Sequence, residues 1–415
     1  MGALKFWMSV ATLTAGLCLP LVAAADEINR ELVKEGRAEA EIIWRRGFTQ
    51  DVPGLSDTLQ TRLARLVGAC EVDPAVTLKV RVFRSPMPNA FCLPDGSIFL
   101  FQGLLAKLNS WEQVDFVLAH EARHAIGWHA QKRLAQAKSR VAIYQVLSLG
   151  ATIALGTSGS SNAGFYDMLA QLGLGLATSS MISGYGRELE SEADRDGCQM
   201  LRQAGRDPCA SLSALRLIIP EEKEESKLAN VFWGSHPLLR ERIADLEEFL
   251  AADCPTDTLI AADYRSCKEL MLLDSASLWL EHKDYEETLK ACESHQRLAG
   301  PHPLATTVRG FALVHATGPD SLMMAERNFR QALALANDAG FRLPWRGLAE
   351  AAIVRADTVA AVAYYEQYLA EGAQVPNRRA CQRRLQALRE GRTVFGTDPA
   401  DDKTRLKADG PGEDF

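Results

Sequence analysis

His120-Glu121-Ala122-Arg123-His124 is a stretch in which residue type and spacing together suggest chemistry. On a helix, residues four apart share a face, so His120 and His124 can aim two imidazoles at one point. Glu121, a hundred degrees round, can reach a water beside that point. Imidazole and carboxylate donors suit zinc, and the expectation is one zinc ion per chain with Glu121 as general base. The competing reading is a solvated helix face carrying two unrelated histidines. With only eight histidines in 415 residues, chance explains this spacing around a glutamate poorly.

A catalytic zinc needs a third protein ligand and an open position. In the metzincin pattern the third histidine would stand at position 130, which is Ala130. His129 is one residue early. At a hundred degrees per residue it points nearly opposite His120 and reads as structural. The best candidate is Glu190, in Arg187-Glu188-Leu189-Glu190-Ser191-Glu192-Ala193-Asp194. Glu190 and Asp194 share a helical face, so one carboxylate can bind metal while the other orients a ligand histidine. Alone, this run would read as an acidic helix surface.

The elements that must carry these residues follow from periodicity. Residues from about Asp26 to Gly68 have helical spacing of apolar positions, and Leu78 to Phe83 alternates as a half-buried strand does. Pro94-Asp95-Gly96 separates two apolar runs, Ala90 to Leu93 and Ile98 to Phe101, as a hairpin turn would. Ser110 and Gln113 have capping-box spacing, and from Trp111 to about Ala137 the spacing predicts one helix that tolerates Gly127. Val141 to Gly186 is apolar and divided by glycines, which predicts a buried helical pair, with a membrane-surface or lid role as the sharper alternative. From about Tyr264 to Leu388 the pattern is helical throughout. Thr288/Cys292/His295, Ala325/Phe329/Ala332 and Ala361/Tyr365/Tyr368 repeat one spacing at a period near that of tetratricopeptide repeats. An irregular helical bundle is the alternative. Asp398 to Phe415 has the composition of a disordered tail.

The expected division is 1–25 signal peptide, 26–255 catalytic domain, 264–390 helical repeats and 392–415 tail. The fold class is α+β, mainly α. A charge-free run from Phe6 to Val22 ends in Ala23-Ala24-Ala25, as a cleaved secretory signal does, so the expected compartment is oxidising. Eight cysteines follow it. Pairs Cys198/Cys209 and Cys254/Cys267 are the close-spaced guesses, against buried free thiols. A net charge of -7 offers no general attraction to phosphate backbones, which argues against nucleic acid as a partner.

Taken together, these residues resemble a known family: the zinc peptidases that include HtpX, the CAAX prenyl endopeptidases and the periplasmic BepA-type proteases. The resemblance spans about Ile42 to Leu250. It rests on Asn89-Ala90-Phe91-Cys92-Leu93-Pro94-Asp95-Gly96, the His120 to His124 pentapeptide, Glu190-Ser191-Glu192-Ala193-Asp194, and His236-Pro237-Leu238-Leu239-Arg240-Glu241-Arg242-Ile243. It implies a zincin-like domain in which Glu190, rather than Glu188 or Glu192, is the third metal ligand and Asp194 supports it. It also implies that His236 and Arg242 lie near the zinc, stabilising the tetrahedral intermediate or binding substrate, or that His236 occupies the open metal position and keeps the enzyme latent.

The implied function is a periplasmic zinc endopeptidase acting on misfolded or stalled envelope proteins, notably those bound for the outer membrane. Substrate would add as a strand along Asn89, Ala90 and Phe91, while the repeats select clients or contact outer-membrane assembly machinery. Peripheral membrane contact is a further expectation. The alternative is a chaperone or assembly adaptor that works through its repeats, with a latent or structural metal site.

Overall fold

A computed structural model describes residues 28–136, 172, 174–177, 185–218, 239–251, 254–255, 259–316, 320–337, 340–370 and 375–392. The signal segment, most of 141–186, His236 and the tail lie outside these residues. The chain divides into two compact units, 1–264 and 265–415.

The first unit opens with α1 (28–45), which buries Leu32, Val33, Ala40 and Ile43. The helix expected to run on to Gly68 is interrupted. Gly47 at φ 71° turns the chain into the two-residue strand β1 (Thr49–Gln50), and Gly54 at φ 78° precedes α2 (Leu55–Val67). Left-handed backbone at two glycines ends the periodicity that the apolar positions alone suggested.

Strands β2 (Lys79–Phe83), β3 (Ala90–Cys92) and β4 (Ser97–Phe101) complete a four-stranded sheet in the order β1-β2-β4-β3. β2 and β4 are parallel, and the other pairings are antiparallel. β3 and β4 form the expected hairpin. At its turn Gly96 has φ 92°, and a Cβ there would sit 2.8 Å from the Thr77 carbonyl carbon. The sheet is held by an aromatic cluster of Phe83, Phe91, Phe99 and Phe101, all fully buried. Stacked and edge-on ring pairs at 4.5–6.2 Å add roughly 0.5–1.5 kcal/mol each beyond their burial.

A short helix α3 (Gln102–Lys107) leads to α4 (Trp111–Ile126), which carries the H-E-x-x-H residues. Ser110 caps α4 by accepting from the Gln113 backbone N–H, and the Gln113 side chain accepts from the Asn109 N–H. α4 stops at Ile126, about eleven residues short of the expected helix end. Gly127 closes it, Trp128 adopts a left-handed φ of 54°, and α5 (His129–Gln136) starts in a new direction.

Among the described residues, the further helices of this unit include α6 (Arg187–Gln203), α7 (Cys209–Ile218) and α8 (Leu239–Leu250). α6 lies against α4, close enough for the Gly197 Cα to approach the His120 backbone. Among the described residues a disulfide joins Cys209 and Cys254, and neither close-spaced pair is bonded. Cys198 is buried against the Ser211 hydroxyl at 3.0 Å, whereas the bond that forms closes a 45-residue loop carrying α8.

The second unit contains, among the described residues, α9 (Arg265–Glu281), α10 (Tyr285–Ala299), α11 (Pro303–His315), α12 (Ser321–Leu335), α13 (Leu343–Val354), α14 (Thr358–Tyr368) and α15 (Arg378–Arg389). Successive helices pack on one another, and all nine residues of the three repeated triads are buried. Phe329 fills the space left by Gly310 and Gly347, whose added Cβ atoms would lie 2.6 and 2.2 Å from its ring. No described helix is long and apolar enough to cross a membrane.

Candidate active site

α4 and α6 meet so that ligand atoms of His120, His124 and Glu190 all lie within 4.8 Å of one another. The two imidazole Nε2 atoms face each other at 3.1 Å, and Glu190 carboxylate oxygens stand 3.6 Å from His120 Nε2 and 3.7 Å from His124 Nε2. The i, i+4 spacing on α4 makes the first pair, and the packing of α6 supplies the third donor. All three residues are buried.

Each donor is held from behind. His120 Nδ1 lies 2.9 Å from Asp194 Oδ1, the orientation expected of a carboxylate that fixes a histidine tautomer. Arg242 donates from Nε and Nη2 to the two Asp194 oxygens at 2.7 and 2.6 Å, and its Nη1 lies 2.9 Å from Glu190. Burial raises the Asp194 pKa, but the Arg242 charge and hydrogen bonds, helped by His120, outweigh it and hold the carboxyl well below the usual range. Burial acts on Arg242 the other way, yet Asp194 and Glu190 keep it firmly protonated. Two carboxylates thus face one cation in a site closed to solvent, an excess of negative charge that suits a bound metal ion.

His124 has a different backing. Its Nδ1 is 2.8 Å from Nδ1 of His129, and the Tyr185 ring stacks on it at 4.0 Å and 16°. His129 was expected to point away. The left-handed Trp128 breaks the helical extrapolation and brings the ring back, fully buried, against His124. Beyond it, His129 Nε2 lies 3.5 Å from Glu192. Burial pushes His129 down to about 4, against the opposing pull of Glu192. Burial raises Glu192, but hydrogen bonds from Lys132 and Arg123 carry it down to about 2. His129, Tyr185 and Glu192 were not legible as site residues. The available signal was Gly127, a helix breaker two residues before a histidine.

Glu121 is buried on the same helix, and its charge is felt by Cys92 and Arg242. β3 is an edge strand of the described sheet. Asn89 accepts from the Phe101 N–H and Leu93 donates to the Ser97 carbonyl, so by antiparallel alternation Phe91 also turns its main chain towards β4. The main-chain groups at the open edge are those of Ala90 and Cys92. The Ala90 N–H is taken by the Asn89 side chain at 2.8 Å, and the Phe91 ring belongs to the aromatic core. Arg242 sits within the site, with its guanidinium engaged by Asp194 and Glu190. His236 lies outside the described residues.

Two imidazoles and a glutamate brought together across two helices beside a small mixed sheet, with a glutamate next to the first histidine, form the donor set and neighbouring base that metallopeptidase sites use. Residues 55–250 match the family model described as Peptidase family M48. That stretch, a little under half of the chain, is the domain this family model describes. The chain is 30% identical to the mitochondrial metalloendopeptidase OMA1 of Schizosaccharomyces pombe, over 41% of this chain and 46% of that protein. It is 33% identical to the mitochondrial metalloendopeptidase OMA1 of Bos taurus, over 39% and 27%. It is 26% identical to the beta-barrel assembly-enhancing protease of Escherichia coli K12, over 48% and 41%. The chain spans less than half the length of each of these relatives.

Proposed function

We propose that the protein is a zinc-dependent endopeptidase that cleaves misfolded or stalled envelope proteins in an exported compartment. The observation that carries this reading is the convergence of His120, His124 and Glu190 within 4.8 Å, each backed by a polar partner on its far side. Two facing imidazole nitrogens and a buried carboxylate fit a zinc ion better than a hard cation, which would take oxygen ligands alone.

Zinc held by these three residues supplies Lewis acidity, which polarises a peptide carbonyl and makes water a nucleophile near neutral pH. Glu121 takes the proton from the attacking water and returns it to the leaving amine. Asp194 keeps His120 in the tautomer whose Nε2 is bare, and Arg242 fixes Glu190 and Asp194 together. With Nε and Nη2 bonded to Asp194 and Nη1 set against Glu190, Arg242 acts on the ligands rather than on the substrate. An extended client aligns beside β3 through the Ala90 carbonyl and the main chain of Cys92, an alignment with little sequence preference. The site and this strand are buried, so a client enters only after the site opens.

The compartment reading draws on the signal-like amino terminus and on the Cys209–Cys254 disulfide, which persists in oxidising surroundings. Clients of outer-membrane type are suggested by the name of the Escherichia coli relative. The helices of the second unit, with their repeated buried triads, are the proposed client-selecting element. The experiment is casein cleavage by the zinc-loaded chain and its Glu121→Gln variant. Cleavage abolished in the variant supports the mechanism, and cleavage at the wild-type rate removes Glu121 from it.

A further inference from the structure

His124 is approached on three sides. Its Nε2 faces His120 Nε2 at 3.1 Å and Glu190 at 3.7 Å, its ring lies under Tyr185, and its Nδ1 meets His129 Nδ1 at 2.8 Å. Two ring nitrogens at that distance share one proton, since two N–H groups or two lone pairs would repel. A metal at His124 Nε2 requires the lone pair there and therefore places the ring proton on Nδ1. His124 then donates to His129, and the proton of a neutral His129 falls on Nε2, beside Glu192 at 3.5 Å. Glu192 in turn accepts from Arg123 at 2.6 Å and from Lys132 at 3.1 Å.

We propose that His129 is a positioning residue for the metal centre, holding His124 in the Nδ1-protonated tautomer that leaves Nε2 open, with Glu192 anchoring His129. His129 would thus do for His124 what Asp194 does for His120, through a neutral ring instead of a carboxylate. The inference rests on the metal-site reading above.

The connection between α4 and α5 is shaped around this one ring. Gly127 has φ -81° and ψ 0°, a conformation open to any residue, so its backbone does not call for glycine. Space does. A Cβ on Gly127 would lie 2.6 Å from His129 Nε2 and 2.8 Å from Cδ2, with the Arg123 carbonyl oxygen at 2.9 Å. Trp128 accepts a left-handed φ that costs a bulky residue energy, on the order of 1–3 kcal/mol, and that turn returns the chain to His124. His129 ends fully buried with Tyr185 edge-on to it at 5.8 Å. A histidine kept only for packing would need neither the glycine gap nor a nitrogen aimed at another nitrogen.

The test compares the full chain with His129→Asn and His129→Leu. Asparagine places an acceptor oxygen near the imidazole Nδ1 position, whereas leucine fills the space without one. Zinc affinity is measured by competition with a chromophoric chelator, folding by thermal unfolding, and ring protonation in the zinc-loaded wild type by long-range ¹H–¹⁵N NMR. The expected result is roughly 10- to 100-fold weaker zinc binding in a folded His129→Leu, with His129→Asn close to wild type. The NMR should show His124 protonated on Nδ1 and His129 on Nε2. Equal losses in both variants would reduce His129 to a packing role, and unchanged affinity in His129→Leu would remove the role. Should His129→Leu fail to fold, a proton on His129 Nδ1 in the wild type overturns the inference by itself. A wild type that binds no zinc overturns the reading of the site, and this inference with it.

Discussion

Asp194→Asn removes a charge without removing volume. The Asp194 carboxylate is 1% exposed, accepts two hydrogen bonds from Arg242 at 2.7 and 2.6 Å, and lies 2.9 Å from His120 Nδ1. An asparagine amide would turn an NH2 group towards one of these donors. Arg242, itself 2% exposed, would keep Glu190 at 2.9 Å. Breaking a buried ion pair by deleting one partner costs 3–5 kcal/mol, and the surviving Glu190 contact puts this case near the lower end, about 3 kcal/mol. For a unit of this size that corresponds to a fall in Tm of roughly 6–12 °C. The sign with pH follows from the depressed Asp194 pKa. Its contribution is present above the unfolded carboxyl pKa, about 3.9, and is lost as pH falls below that value. Scanning calorimetry of the metal-free chain at pH 7, 5 and 3 should therefore show the full gap at the first two and a shrinking gap at the third. A Tm within about 2 °C of wild type at pH 7 would show that the network does not support the fold. A gap unchanged at pH 3 would show that the charge is not its cause.

Three further outcomes are expected. Opening the 45-residue loop by Cys209→Ser with Cys254→Ser should cost about 4 kcal/mol on the chain-entropy account, read as a lower denaturant midpoint that added reductant no longer changes. Glu39 is buried in α1 and accepts from the Leu176 and Ala177 N–H groups at 2.7 and 2.8 Å, and burial outweighs these bonds to raise its pKa to about 7. A raised carboxyl pKa gives stability that is present below pH 4.5 and lost as pH climbs through 7, so Glu39→Gln should flatten the wild-type decline over that window by up to about 3 kcal/mol. Denaturation at pH 4.5 and 8 that shows the same decline in both chains would discount Glu39. Gly347→Ala puts a Cβ 2.2 Å from the buried Phe329 ring and should destabilise the second unit by about 1–3 kcal/mol, visible as a lower Tm for its transition alone.

The legible part of the site was the part written in helical periodicity. His120 and His124 share a face because they are four apart, and Glu190 with Asp194 shares one for the same reason, so two helices could be assigned their donors before any contact was known. The alternating run at β2 and the Pro94-Asp95-Gly96 turn likewise follow from period and turn chemistry. What escaped depends on where the chain departs from regular geometry. Extrapolating α4 through Gly127 turned His129 outward, whereas one left-handed residue, Trp128, turns it inward. Gly47 and Gly54 split what looked like one helix, admitting a two-residue strand too short to show a period. The disulfide escaped for a related reason, because Cys209 and Cys254 are brought together by packing across 45 residues and not by proximity in sequence.

Whether His120, His124 and Glu190 hold one zinc ion is tested most directly by elemental analysis of the zinc-loaded, dialysed full chain beside its His120→Ala and Glu190→Gln variants. One zinc per chain in the wild type, with loss in folded variants, is the predicted result. A wild type that retains no zinc, or variants that keep the same stoichiometry and affinity, would contradict it.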